Sequence, residues 1–371
     1  MTTLPTQPTA ADVEVVATAD DLAGRLFEAA LGAVDLMSIH LGDRLGLYRA
    51  VDELTTSAGG PTVAEVAGRT GVHERYAREW LEQQAVTGLL TARTDGPERR
   101  FALPAASREV LLDPSSLNYL APVARMLAAS AAKLPQLLQA YRTGGGVSWD
   151  DLGPDARESQ ADLNRPWFEQ RLGTAVASVP ELDEAMRRPG ARIADLGCGG
   201  GWSSIALARA YPDATVDGFD VDAPSVGLAT RNSVAAGVGD RATFHRADVS
   251  GANVGEGYDA VFAFECVHDL SSPVEFLATA RRATAADGVT VVMDEAVAPE
   301  FTAPGDELER LMYGFSLLVC LPDGMSQQPS AATGTVMRES TLRGYAQAAG
   351  FRDVEVLPIQ DFAFFRFYRL V

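Results

Sequence analysis

The sequence predicts an α/β fold, a doubly wound seven-stranded sheet with an antiparallel last strand, preceded by a helical domain that includes a winged helix. Three observations predict it. A strand, a glycine turn and a helix follow one another in Arg192–Trp202. From there to Val371, β patterns alternate with α patterns. A helix–turn–helix–hairpin pattern runs from Thr62 to Leu103.

In chain order, residues 1–20 are rich in Thr, Pro and Ala and read as a disordered tail. Asp20 or Asp21 is the expected N-cap of a long helix in which Leu22, Leu26, Ala29, Ala30, Ala33, Met37, His40 and Leu41 share a face. So apolar a helix needs a partner, either its own domain or a second copy of the chain. Thr62-Val-Ala-Glu65 is a capping box that opens a helix over Val63–Arg69. A second helix spans His73–Gly88, and Asp95-Gly96 centres a hairpin. Residues 60–110 hold seven Arg against seven Asp plus Glu, and the second helix carries Glu74, Glu79 and Glu82, so DNA binding is not expected. Helical segments interrupted at Pro114, Pro122 and Pro135 fill Ala105–Tyr141, and a glycine-rich junction follows over Arg142–Trp149. The expected units are 21–142 (helical, winged-helix, dimerisation or lid), 143–190 (a connector over the active site) and 191–371 (the sheet).

Strands are expected at Arg192–Leu196, Thr215–Asp220, Ala242–Ala247, Tyr258–Phe264, Val289–Asp294, Val354–Pro358 and Phe362–Leu370. Helices fall at Ser203–Tyr211, Ser225–Ala236, Pro273–Thr284 and Thr341–Ala349. The last two strand runs leave no room for a helical crossover, which makes them an antiparallel hairpin. In such Rossmann-like sheets a ligand sits beyond the strand C-termini at the switch point.

The net charge of −19 over 371 residues, with Lys133 as the single lysine, disfavours a nucleic-acid or anionic-membrane footprint. Cys198, Cys266 and Cys320 have no paired or metal-like spacing and read as free thiols. No signal-peptide pattern opens the chain and no apolar run reaches membrane length, so a cytoplasmic protein is expected.

The glycine stretch reads D195-L-G-C-G-G-G201. A carboxylate at Asp195 would repel a pyrophosphate, but it suits a ligand with cationic groups. S-adenosylmethionine (SAM) carries a sulfonium and an ammonium and no phosphate. Asp220 ends the second strand at the spacing of a ribose-binding acid.

With Asp248 after the third strand, these motifs resemble those of the class I SAM-dependent methyltransferases. The resemblance covers Arg192–Val371 and implies contacts from the Asp195 loop (Gly197, Gly199, Gly201) to the methionine end. It implies contacts from Asp220 and Val221 to the ribose, from Asp248 and Val249 to the adenine, and a cofactor role for Glu265; S-adenosylhomocysteine (SAH) is the product. His268, after the fourth strand, is the best candidate base, with Asp269 or Glu295 to orient it. A His-Asp pair in this place resembles that of plant-type O-methyltransferases, in which the His is the base and acids flank it. Leu270 departs from that pattern, which usually has Trp. Alternatively, His268 caps the following helix near Ser271-Ser272.

Trp167, with Trp149 and Phe168, is a candidate pocket wall, as are Met312, Tyr313, Ser316 and Cys320 in the insertion over Pro299–Met337. Asp294 with Glu295 is a weak metal candidate lacking a third ligand, and no metal is expected. With its winged-helix front, the whole chain resembles a group of actinobacterial methyltransferases, through H73-E-R-Y-A-R-E-W80, R142-T-G-G-G-V147, the H268-D269 pair and the Cys320 segment. The reading is methylation of a small, partly apolar molecule, first at oxygen, by a homodimer. N- or C-methylation and SAM-sensing regulation are the alternatives.

Overall fold

The computed structural model describes residues 18–56, 59–95 and 98–371. The proposed tail up to residue 17 and the Gly96 turn residue lie outside them. Helix α1 (Ala19–Arg44) begins two or three residues earlier than the sequence indicates. Thr18, not Asp20 or Asp21, is its N-cap, and Asp21 closes a capping box by accepting the Thr18 backbone N–H at 2.9 Å. From 18 to 34 every residue of α1 is exposed; its C-terminal part packs on the body, chiefly against α6 (Ala121–Ala131).

Helices α2 (Leu47–Leu54), α3 (Val63–Thr70) and α4 (Glu74–Val86) and the strands β1 (Thr91–Asp95) and β2 (Glu98–Ala102) form the winged helix. Their core is Leu47, Tyr48, Val51, Val66, Trp80, Leu81 and Phe101. The expected capping box of α3 is present, with Thr62 and Glu65 bonded reciprocally. On α4, Arg75 and Arg78 pair with Glu79 and Glu74 one turn away (2.5 and 3.3 Å), so this surface offers little uncompensated positive charge. Helices α5 (Ala105–Leu112), α6 and α7 (Leu134–Thr143) follow. Pro122 and Pro135 sit in the first turns of α6 and α7, where a proline costs no hydrogen bond, and so they open helices rather than break one.

The connector is α8 (Trp149–Trp167), a π-helical turn (Phe168–Leu172), α9 (Gly173–Ala177) and α10 (Pro180–Met186). The junction before α8 is fixed to the late insertion: Val147 N–H donates to the Pro322 carbonyl at 2.9 Å, and a Cβ on Gly146 would lie 2.1 Å from that oxygen.

The sheet comprises β3 (Arg192–Leu196), β4 (Thr215–Asp220), β5 (Ala242–Arg246), β6 (Tyr258–Phe264), β7 (Thr284–Glu295), β8 (Val354–Val356) and β9 (Phe365–Leu370). Their order is β5-β4-β3-β6-β7-β9-β8; β9 runs antiparallel between β7 and β8 and the other pairings are parallel. Helices α11 (Trp202–Ala210), α12 (Ala223–Ala235) and α13 (Pro273–Ala283) supply the crossovers, and α16 (Glu339–Ala348) leads into β8. Residues alternate between the two faces: Ile193, Phe262 and Met293 pack into the apolar layer on one side, Ala194, Val261 and Val292 into the layer on the other. Between β7 and α16 lie α14 (Glu307–Phe315), a second π-helical turn (Ser316–Cys320) and α15 (Leu321–Gly324). No helix among the described residues is long and apolar enough to cross a membrane.

Candidate active site

The switch point of the sheet, between β3 and β6, opens into a cavity of about 750 Å³. The turn after β3 forms its floor. Gly197, Gly199 and Gly201 all have positive φ (76, 49 and 78°). A Cβ on Gly199 would meet nothing within 4 Å, so the backbone is bare toward a ligand there, whereas one on Gly201 would lie 2.8 Å from Ala229 and from Phe244. Gly197 and Gly199 line the cavity; Gly201 does not, and is required by packing.

Asp195 differs from the expectation as well. It is buried behind the loop, where its Oδ2 accepts from the hydroxyls of Ser203 (2.6 Å) and Ser204 (2.5 Å), and it does not line the cavity. Burial pushes its carboxyl up to about 6. Asp195 therefore anchors the first turn of α11 through Oδ2.

Asp220, Val221, Asp248, Val249 and Glu265 all line the cavity. Asp220 accepts the N–H groups of Gly199 and Asp222, each at 2.8 Å, which ties the second strand to the glycine turn and leaves its carboxylate further lone pairs. Glu265 stands at the end of β6 with φ of 51°, and two amides of α8 hold it: Gln160 at 3.0 Å and Asn164 at 2.5 Å. Burial lifts its carboxyl to about 7, against those amides. A bare glycine turn, a strand-end acid and cavity-facing carboxylates fit SAM, whose ribose hydroxyls and cationic groups need such acceptors.

His268 follows in the short turn Val267–Asp269, buried. Its Nδ1 donates to Asp294 Oδ1 at 2.8 Å, Glu295 Oε2 is 3.2 Å from the same nitrogen, and Nε2 lies 3.2 Å from Asp269 Oδ1. Asp294 is thus the group that orients the ring, a role the sequence reading gave to Asp269 or Glu295. His268 does not cap α13, whose N-cap Ser272 makes no side-chain cap bond. Burial alone would lower the imidazole pKa, but Asp269, Asp294 and Glu295 together outweigh it and hold the ring protonated well above its usual range. Two donor groups, His268–Asp269–Cys320 and His268–Asp294–Glu295, each bring their atoms within 4.8 Å of one another.

Trp149, Trp167, Phe168, Met312 and Cys320 line the cavity, joined by Leu311, Phe315 and Val319, which the sequence reading did not name. Tyr313 and Ser316 do not line it: Tyr313 is partly exposed and its hydroxyl accepts from Arg338, while Ser316 is buried where a Cβ on Gly334 would lie.

Residues 193–288 match a family model described as a methyltransferase domain, and residues 32–112 one described as an Rv2258c-like winged HTH domain. The chain is similar to the methyltransferase ungE' of Aspergillus campestris, 29% identical over 124 residues, which is 33% of this chain and 34% of that protein. The match therefore spans about a third of that relative's length. Among solved structures, the mitomycin 7-O-methyltransferase MmcR superposes with a TM-score of 0.72 at 22% identity, over 95% of this chain and 98% of that one. Human N-acetylserotonin methyltransferase, solved with SAM, does so with 0.69 at 18%, over 96% and 99%. The methyltransferase-domain match covers the sheet from β3 into β7, the part that carries the glycine turn and His268. Ahead of it, the winged HTH match runs from within α1 to the end of α5, so the chain carries a methyltransferase domain preceded by a winged helix-turn-helix domain.

Proposed function

We propose that the protein moves the methyl group of SAM onto a hydroxyl of a small, partly apolar molecule, and that His268 receives the hydroxyl proton. One observation carries this reading: a buried histidine, held through Nδ1 by Asp294 with Nε2 beside Asp269, lines the same cavity as the glycine turn. SAM, when bound, supplies an electrophilic methyl on a sulfonium; the acceptor oxygen gains one C–O bond as the S–CH3 bond breaks and SAH leaves. The work of the chain is positional. Asp294 fixes the ring, Trp167, Phe168 and Phe315 keep water from the reacting atoms, and Nε2 takes the proton. That step needs neutral imidazole. The flanking carboxylates favour the imidazolium, and positive charge entering the cavity opposes their hold and frees the base. The test is SAH release from SAM with a panel of phenols and alcohols. A hydroxylated acceptor should be consumed, and His268→Ala should lower its rate by about 10²-fold or more; an unchanged rate would remove His268 from the chemistry.

The working form in this reading is a homodimer. Residues 18–34 of α1 are exposed throughout, with Leu26 73% and Phe27 64% accessible and Leu22, Leu31 and Val34 beside them. A helical arm of that length without tertiary contacts is marginal in water. A second copy, its own α1 alongside, covers both arms with one self-complementary contact.

A further inference from the structure

The cavity is charged unevenly. Two arginines line it, Arg157 and Arg246, both near the strand ends that meet the ribose side. Arg157 is already neutralised by Asp222, which accepts from its Nε and Nη2 at 2.5 and 3.1 Å. Around His268 the balance reverses. Glu265, Asp269, Glu295 and Asp323 line that end with a single imidazole among them, and Asp294 stands directly behind it. Among the described residues no Lys or Arg lines it.

These carboxyls are short of positive charge. Glu295 is 97% buried, and its Oε2, like Asp269 Oδ1, accepts no hydrogen bond. Asp323 receives one, from the Trp149 backbone N–H at 2.7 Å. Burial, and then the nearby Asp269 charge, lift its carboxyl to about 7. Crowded acids raise one another's pKa until a cation arrives. SAM brings one net positive charge, and Glu265, whose neighbour Cys266 packs against Gly197, stands nearest the glycine turn to meet it. Asp269, Glu295 and Asp323 are left facing His268 alone. The walls on this side are apolar: Trp149, Met312, Phe315 and Val319. The Trp149 backbone N–H fixes the Asp323 carboxylate, and both residues line the cavity, so an acid and an aromatic residue border the same end, a combination suited to an organic ammonium.

Resting on the methyltransferase reading of the site, we propose that the methyl acceptor carries a protonated amine, received by Asp323 and Asp269 on the Trp149 side, while its hydroxyl lies at His268 Nε2. The amine then does two things: it selects the substrate, and its charge helps release the proton that His268 holds. A metal ion on His268, Asp269 and Cys320 fits less well. It would occupy the Nε2 that must take the proton, and burial pushes the Cys320 thiol far up, away from thiolate.

Three phenols of matched shape test the assignment by calorimetry on the SAH-loaded protein: tyramine, 4-ethylphenol and 4-hydroxyphenylacetate. Tyramine should bind roughly tenfold to a hundredfold tighter than 4-ethylphenol, the usual worth of a charged hydrogen bond. The carboxylate should bind most weakly. In Asp323→Asn and in Asp269→Asn that preference should collapse while SAH affinity stays unchanged, which also shows that the variants are folded. Absence of an amine preference, including no tyramine binding at millimolar concentration, overturns the proposal. So does a preference that survives both substitutions, or stoichiometric Zn²⁺ binding lost in His268→Ala. Titration with SAM reads the underlying methyltransferase assignment separately: if SAM binds and the three phenols are not distinguished, only the amine proposal fails.

Discussion

At His268 five carboxyl groups and one imidazole crowd one end of the cavity, and the number of protons they hold decides what the site can do. Asp294 is bonded to Nδ1, and Asp269 faces Nε2. Because the net effect of these acids is to raise the imidazole pKa, the base is unavailable at low pH and becomes available as the pH rises through a value above 6.5. The profile of kcat/KM against pH should therefore show an ascending limb displaced to higher pH, and Asp294→Asn should move that limb down. An unmoved limb in Asp294→Asn would mean that another group titrates. The His-Asp pair was legible because it directly follows an apolar strand. The role of Asp294 was not. Asp294 and Glu295 are neighbours at the end of β7, and which of them meets the ring depends on the pleat and on how β6 registers with β7, neither of which sequence spacing encodes.

Among the elements, the glycine turn carries the most constraint. Gly201 combines φ of 78° with no room for a methyl group against Ala229 and Phe244. Gly201→Ala should cost about 1–3 kcal/mol, read as a lowered urea midpoint, through strain and overpacking; a wild-type midpoint would show that the turn can relax. The other exacting element is α1. Leu26→Glu with Phe27→Glu should turn a dimer into a monomer in light scattering without altering the far-UV spectrum of the rest, and a wild-type protein monomeric at working concentration would contradict the dimer. The strands and helices of the sheet were readable from apolar runs between turn residues, and the α3 capping box from four residues alone, but not every bound: β7 begins at Thr284 rather than Val289 and β9 at Phe365 rather than Phe362. The π turns at Phe168–Leu172 and Ser316–Cys320 were not readable, since one additional residue per turn leaves no periodic mark in so short a stretch.

Over the whole molecule, buried acids set the response to pH. Asp195 is raised to about 6, Glu265 and Asp323 to about 7, the three chiefly by burial. Each binds a proton more tightly folded than unfolded, so each loses stability as the pH rises through its folded value. His268, also raised, contributes stability below 6.5 that disappears higher up. All four act in one direction, and the ligand-free protein should melt several degrees higher near about pH 6 than near about pH 8. SAM, a cation, should narrow that gap; equal melting temperatures would mean that these groups titrate normally. The doubly wound sheet and its antiparallel last strand followed from the rhythm of the chain, whereas the strand order and the closing of the cavity by α8 and α14 rest on long-range contacts such as Gln160 and Asn164 on Glu265. The most direct test of the account is calorimetric titration with SAM of the wild-type chain and of Asp220→Ala, whose carboxylate joins the glycine turn to the second strand. One site per chain, at micromolar affinity in the wild type and lost in the folded variant, is the result expected; no binding by the wild type, or equal binding by both, would contradict it.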